Sequence, residues 1–239
     1  MSTSPLEFDS IIIPLVDGYT ILDIGCGGGK WGFLLRLYWW CTEKGKEESD
    51  YRKRKIDPQA ERLDGFDIFL PHLKKLKSRK IYDNLIYGDA CTLPFKDNSF
   101  DVCIASEVLE HLEKDIGIKF LKEAERVSKK SVILTTPKYP GKYGGVLTVD
   151  GFNPFDQHVS QWTFKELKKR GYNVFGVGFH ILGISLLSPI AKKLFGINSL
   201  RQTISFYLSP FSYKFPTFAE YYVAKKTLKD KEHENCYNR

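Results

Sequence analysis

The residues best placed to do chemistry cluster in one stretch, Tyr19 to Gly32, which reads YTILDIGCGGGKWG. One carboxylate, Asp23, is followed by glycines at 25, 27, 28 and 29. Glycine has no Cβ, so a backbone of this kind turns tightly and lets a ligand approach it closely. The flanking residues predict the elements that must hold it. Ile21, Leu22 and Ile24 form the short apolar run of a strand buried on both faces. Trp31, Phe33, Leu34, Leu35 and Leu37 predict a helix, whose first turn offers free N–H groups. Strand, glycine turn and helix together make a nucleotide-cofactor cradle.

The spacing selects among cofactors. A dinucleotide fingerprint needs G-x-G-x-x-G, and counting from Gly25 puts Lys30 at the third glycine position. Counting from Gly27 reaches Gly29 and then Gly32, inside the predicted helix. D-x-G-x-G-x-G fits instead, with Asp23, Gly25, Gly27 and Gly29. This resembles motif I of the class I S-adenosylmethionine-dependent methyltransferases. The resemblance implies that the Gly25–Gly29 loop, Cys26 included, packs against the methionine and ribose portions of S-adenosylmethionine, with Asp23 near its amino group.

A second strand, Arg62 to Phe66, delivers Asp67 and Ile68. An acidic residue at that strand end can accept from ribose hydroxyls. The charged stretch before it places Asp67 roughly twice as far from the glycines as the usual spacing of about 20 residues, unless the insertion loops out. Asn84 to Tyr87 predicts a third strand. The segment Gly88–Leu112 then reads GDACTLPFKDNSFDVCIASEVLEHL. Its GDA, LPF, FD and EVLEHL signals follow in the order and spacing common in the same family. The resemblance implies that Asp89 accepts from the adenine amino group, that Ala90 adds a backbone contact, and that Ser106 and Glu107 lie by the methionine end. His111 either packs and caps one turn after Glu107 or joins the site.

Further along, Asp115 to Val127 predicts an amphipathic helix with Ile118, Leu121, Ala124 and Val127 on one face. Ser131–Thr135 predicts a fifth strand, Tyr172–Phe179 a sixth and Phe218–Ala224 a seventh. Thr163 and Glu166 form a capping box. The expected fold is α/β, a Rossmann-like, mostly parallel seven-stranded sheet with helices on both faces. The family implies strand order 3-2-1-4-5-7-6, with the last strand antiparallel beside the fifth.

A chain of 239 residues suits one domain, 1–239, carrying a charged surface insertion at 41–61 and an apolar helical insertion at 181–216. The net charge of +7 is spread along the chain, which argues against a nucleic-acid groove. The cysteines at 26, 41, 91, 103 and 236 form no C-x-x-C pair. Free thiols in a reducing cytoplasm are the expectation. The first residues lack a basic n-region, and their apolar run is too short for a signal or a membrane span. The 181–216 excursion is a core cap or a homodimer surface, a lid over an apolar acceptor, or a patch resting on anionic membrane.

Methyl transfer from a sulfonium is an in-line displacement, so positioning the acceptor supplies much of the rate. His158 is the candidate general base for a hydroxyl acceptor, since its segment passes the pocket mouth in this fold. Its alternative role is to order its own loop through Asp156 or the Thr163 cap. No metal is assigned: Glu107 could serve as a carboxylate ligand, but Thr135-Thr136-Pro137 offers it no partner. Ser106-Glu107-Val108-Leu109 stands where amino-methylating DNA and protein-glutamine enzymes carry N/D-P-P-Y/F. Cys103 comes too early for a cytosine-C5 nucleophile. The expected acceptor is a small molecule, a sugar or a lipid-linked molecule, methylated on oxygen. An RNA methyltransferase would need Arg52–Lys55 and Lys192/Lys193 on one basic face. A cofactor-binding module without catalysis is the third reading.

Overall fold

The computed structural model describes residues 8–42, 62–139, 146–148, 151–178, 208 and 210–228. Its frame is a seven-stranded sheet built from β1 (Thr20–Ile24), β2 (Arg62–Asp67), β3 (Asn84–Tyr87), β4 (Phe100–Ser106), β5 (Ser128–Pro137), β8 (Asn173–Val177) and β9 (Tyr221–Thr227). The strand order is β3-β2-β1-β4-β5-β9-β8. β1 to β5 run parallel, and β9 pairs antiparallel with both β5 and β8. This is the class I methyltransferase order expected from the sequence. The last strand begins at Tyr221 rather than Phe218, because Pro216–Phe218 forms a 3-10 turn in which the Phe215 and Pro216 carbonyls accept from the Phe218 and Ala219 amides. β5 runs from Ser128 to Pro137, longer than expected, because β9 pairs with it as far as Tyr221 opposite Pro137.

Side chains alternate across a strand, and the two faces of the sheet carry separate apolar clusters. On one face Ile21, Leu63, Val102 and Ile104 pack against α1 (Asp9–Leu15), α2 (Lys30–Thr42) and α3 (Leu70–Lys77) through Ile12, Trp31, Leu35, Leu73 and Leu76. On the other, Leu22, Cys103 and Leu134 meet α4 (Lys114–Val127) and α5 (Phe164–Lys169) through Phe120, Leu121, Ala124, Val127 and Leu167. Leu70–Lys77 has Pro71 in its first turn, where a missing N–H costs nothing. The Thr163–Glu166 capping box forms reciprocally.

A two-stranded hairpin, β6 (Val146–Thr148) and β7 (Gly151–Asn153), stands outside the sheet. The sequence gives no period for it, since three residues per strand are too few to show alternation. The charged insertion lies outside the described residues from position 43 to 61, as do 181–207 and 209 of the apolar excursion. The described end of the excursion, helical over 210–214, packs on β8, where Tyr213 stacks on Phe175 with ring centroids 4.9 Å apart. Among the described residues no helix is long and apolar enough to cross a membrane.

Candidate functional site

The register brings the strand ends level. Ile24 lies opposite Phe66 on one side and Ala105 on the other, and Asp67 opposite Tyr87. The loops after β1, β2, β3 and β4 therefore converge where the strand order reverses, the place where open α/β sheets bind ligands. They enclose a cavity of about 550 Å³. Gly25, Cys26, Gly27, Asp67, Ile68, Asp89, Ala90, Ser106 and Glu107 all line it.

Two of the glycine positions have a conformational reason. Gly25 has φ +69°, and a Cβ there would stand 2.5 Å from Val108 Cγ2. Gly29 has φ +84°, and a Cβ there would meet Leu76 Cδ2 at 2.6 Å. Gly29 thus closes the loop onto α3 and does not line the cavity. Asp67 ties the loops together: its Oδ2 accepts from Gly27 N at 2.8 Å and its Oδ1 from Phe69 N at 2.7 Å. Each carboxylate oxygen keeps lone-pair capacity for a ribose hydroxyl. Asp89 Oδ1 accepts from Cys91 N at 2.8 Å, which orients its carboxylate at the cavity wall.

Asp23 is placed differently from its expected position near an amino group. It is fully buried behind the loop, where Tyr82 Oη donates to its Oδ2 at 2.5 Å. Burial pushes its carboxyl up to about 7, the Tyr82 bond opposing and the nearby Asp67 adding to the shift. Alternation along β1 sends its side chain to the α2–α3 face, so its part is to fix the loop from behind. Tyr82 Oη also accepts from Gly32 N at 3.3 Å, linking that carboxylate to the start of α2.

At the tip of β4, Glu107 adopts a left-handed backbone, φ +56°. Its N–H donates to Thr135 Oγ1 at 3.0 Å, and Thr135 donates back to Glu107 Oε1 at 2.8 Å. Ser106 Oγ lies 2.9 Å from the same Thr135 hydroxyl. Burial pushes the Glu107 carboxyl up to about 7 against that bond. Thr135 was legible only as a strand residue, since nothing local in its segment signals a partner on β4.

The outer wall is the segment after the hairpin. Leu147, Asn153, Pro154, Phe155, Asp156, Gln157 and Val159 line the cavity, and so does His111. His158 does not. It packs against His111 with ring centroids 4.8 Å apart and ring planes tilted by 58°, and of the two rings only that of His111 lines the cavity. His111 Nδ1 lies 3.1 Å from the Gln157 carbonyl, and its Nε2 lies 3.5 Å from Asp156 Oδ1.

S-adenosylmethionine carries a carboxylate, an ammonium, a ribose diol and an adenine. The cavity fits these groups on one further observation. The indole N–H of Trp31, buried on the cavity wall at the start of α2, has no partner among the described residues. A buried donor of this kind costs stability unless a ligand accepts from it, and the cofactor carboxylate is such an acceptor. Sequence reasoning used Trp31 only as a helix-forming apolar residue. Its position directly after G-G-G-K was the available signal.

Residues 22–135 match a family described as Methyltransferase domain. An uncharacterised methyltransferase of Schizosaccharomyces pombe is 30% identical over 132 residues, 52% of this chain and 44% of that protein. An uncharacterised protein of Methanocaldococcus jannaschii is 26% identical over 159 residues, 65% of this chain and 56% of that protein. The chain thus spans about half the length of the curated relatives it matches. Among solved structures, the complex between the Haloferax volcanii Trm112 methyltransferase activator and a methyltransferase is similar in fold, with a TM-score of 0.51 at 16% identity over 92% of this chain and 86% of that one. Motif, strand order, cavity and family match agree: residues 22–135 of this chain match the methyltransferase domain family on the class I fold, and the cavity they line fits S-adenosylmethionine.

Proposed function

We propose that the protein methylates an oxygen atom of an acceptor with an apolar body, a small molecule or a lipid-linked one. The apolar rim of the cavity carries this reading. Leu147, 80% exposed, and Phe155, 46% exposed, stand on its outer wall with Val159 and Leu112 beside them. Apolar side chains left open to water at a cavity mouth match an apolar ligand. The polar groups of the same wall, His111 and Asp156, sit together and provide one place for an acceptor hydroxyl. Bound S-adenosylmethionine supplies an electrophilic methyl carbon and a neutral leaving sulfur. The chain's residues then have to hold the acceptor oxygen in line, exclude water and receive a proton at the His111 end of the cavity. His111, which lines the cavity, is better placed for that contact than His158, which does not line it but packs against the His111 ring.

The test is transfer of label from methyl-labelled S-adenosylmethionine into cell extract by the purified protein, with lipid, RNA and protein fractions separated. Label in organic-soluble material supports the reading. Label in RNA replaces it with a nucleic-acid acceptor, and label in protein with a protein acceptor. Cofactor binding without any transfer leaves a binding module without catalysis.

A further inference from the structure

Behind the His111 end of the cavity lies a side-chain set that the cofactor site does not use. Glu110 is completely buried, and neither of its carboxyl oxygens has a partner of full hydrogen-bond geometry among the described residues, although Thr136 and Glu107 lie beside it. One ligand atom each from Glu110, His111 and His158 lies within 4.8 Å of the others. Two donors about 2.1 Å from a shared ion stand about 3–4 Å apart, so small side-chain rotations close the set. The backbone already holds the pieces together: the Glu110 carbonyl accepts from Val159 N at 2.9 Å and Ser160 N at 3.1 Å, pinning the segment that carries His158.

Two further contacts call for positive charge. A carbonyl only accepts, so the Gln157 contact puts the His111 proton on Nδ1 and leaves a lone pair on Nε2. That lone pair meets the Asp156 carboxylate at 3.5 Å, two acceptors face to face. Glu110 also lies beside the buried Glu107 carboxyl, so two acid groups crowd one place. A buried carboxyl without a partner is costly, and a coordinated ion removes that cost.

We propose that Glu110, His111 and His158 bind a divalent first-row transition-metal ion beside the acceptor end of the cavity. Two imidazoles and one carboxylate suit manganese, iron, cobalt or zinc better than magnesium, which prefers oxygen ligands alone. The backbone-fixed Nδ1–H of His111 is the outer hydrogen bond that metal-bound imidazoles commonly have. On the O-methylation reading above, the ion places positive charge next to the acceptor oxygen and favours its deprotonated form. With His111 Nε2 held by the ion, the proton leaves to the neighbouring Asp156 carboxylate or to solvent. Ion binding itself is measured without acceptor or turnover, so it stands or falls separately from that reading.

The experiment is titration of the full chain, stripped with chelator and loaded with S-adenosylhomocysteine, with Mn²⁺ followed by electron paramagnetic resonance, and with Mg²⁺ in competition. The expected result is one Mn²⁺ per chain, displaced by Mg²⁺ only at tenfold or greater excess. Glu110→Gln and His158→Ala should each weaken Mn²⁺ binding at least tenfold while leaving adenosylhomocysteine affinity unchanged. Glu110→Gln keeps the side-chain shape, and His158 is only half-buried, so at least one folded variant is available, checked by its melting curve. Absence of stoichiometric Mn²⁺ binding overturns the proposal. So does binding that survives either substitution undiminished in a folded variant, or a site that prefers Mg²⁺.

Discussion

Trp31 and Asp89 approach the cavity by different routes, and both make predictions that calorimetry can check. Trp31→Phe removes an indole N–H that has no partner among the described residues, so the apo protein loses little stability. Adenosylhomocysteine binding should weaken by about 1–3 kcal/mol if that N–H donates to the ligand carboxylate. Asp89→Ala should cost a similar amount through the adenine amino group; unchanged affinity in either variant removes that residue from the site. Asp23 makes a prediction in pH. Its folded value of about 7 stands above its ordinary 3.8, so between these values the folded chain binds more protons than the unfolded chain. The contribution to stability is fully present below about pH 4 and falls as pH rises towards 7, by roughly a few kcal/mol. Asp23→Asn keeps an acceptor for the Tyr82 hydroxyl and should flatten that part of the stability profile, measured by denaturant unfolding at pH 4.5 and pH 7.5. Equal slopes in the two proteins mean that Asp23 is ionised in the fold.

At the scale of elements, the cavity has two walls of different origin. The inner wall comes from the ends of β1, β2 and β4 and the loop after β3, which the sheet register holds in place whatever the side chains beyond them. The outer wall comes from the β6–β7 hairpin and the chain over 153–159, attached to the rest by the Glu110 carbonyl and by Gln161 Nε2 donating to the Lys138 carbonyl at 2.6 Å. Changes on the outer wall should therefore affect the acceptor and spare the cofactor. Leu147→Asp and Phe155→Asp, both on exposed positions, should raise the acceptor KM at least tenfold, the order expected for losing an apolar contact of about 1.5 kcal/mol. Adenosylhomocysteine affinity should stay at the wild-type value. Equal loss of both affinities would show that the two walls act as one.

For the whole molecule, the cofactor is a stability ligand, because the four converging loops exist only in the folded chain. Adenosylhomocysteine at about 100 times its Kd should stabilise the fold by about 2.7 kcal/mol. For a chain of this size that is a rise in Tm of about 5–10 °C. NAD should give no shift, since Lys30 stands where a dinucleotide fingerprint needs its third glycine. A rise with NAD, or none with adenosylhomocysteine, in a scanning melt would contradict the assignment of the cradle.

The sequence by itself determined the sheet and the inner wall of the cavity, because both depend on local pattern. Apolar runs ending in Asp23-to-Gly29, Asp67 and Asp89, with FD…EVLEHL after them, place the residues of that wall at strand ends, and a parallel sheet brings those ends to one edge. What local pattern could not supply was direction and long-range contact. Asp23 belongs to the glycine motif, yet strand alternation turns it away from the cavity toward Tyr82, 59 positions later in the chain. Thr135 carries no motif, yet the β4–β5 register puts it against both Ser106 and Glu107. The segment of His158 points to the site, but only packing decides that His111 and not His158 lines the cavity, and only packing buries Glu110 beside them with no partner of full hydrogen-bond geometry among the described residues.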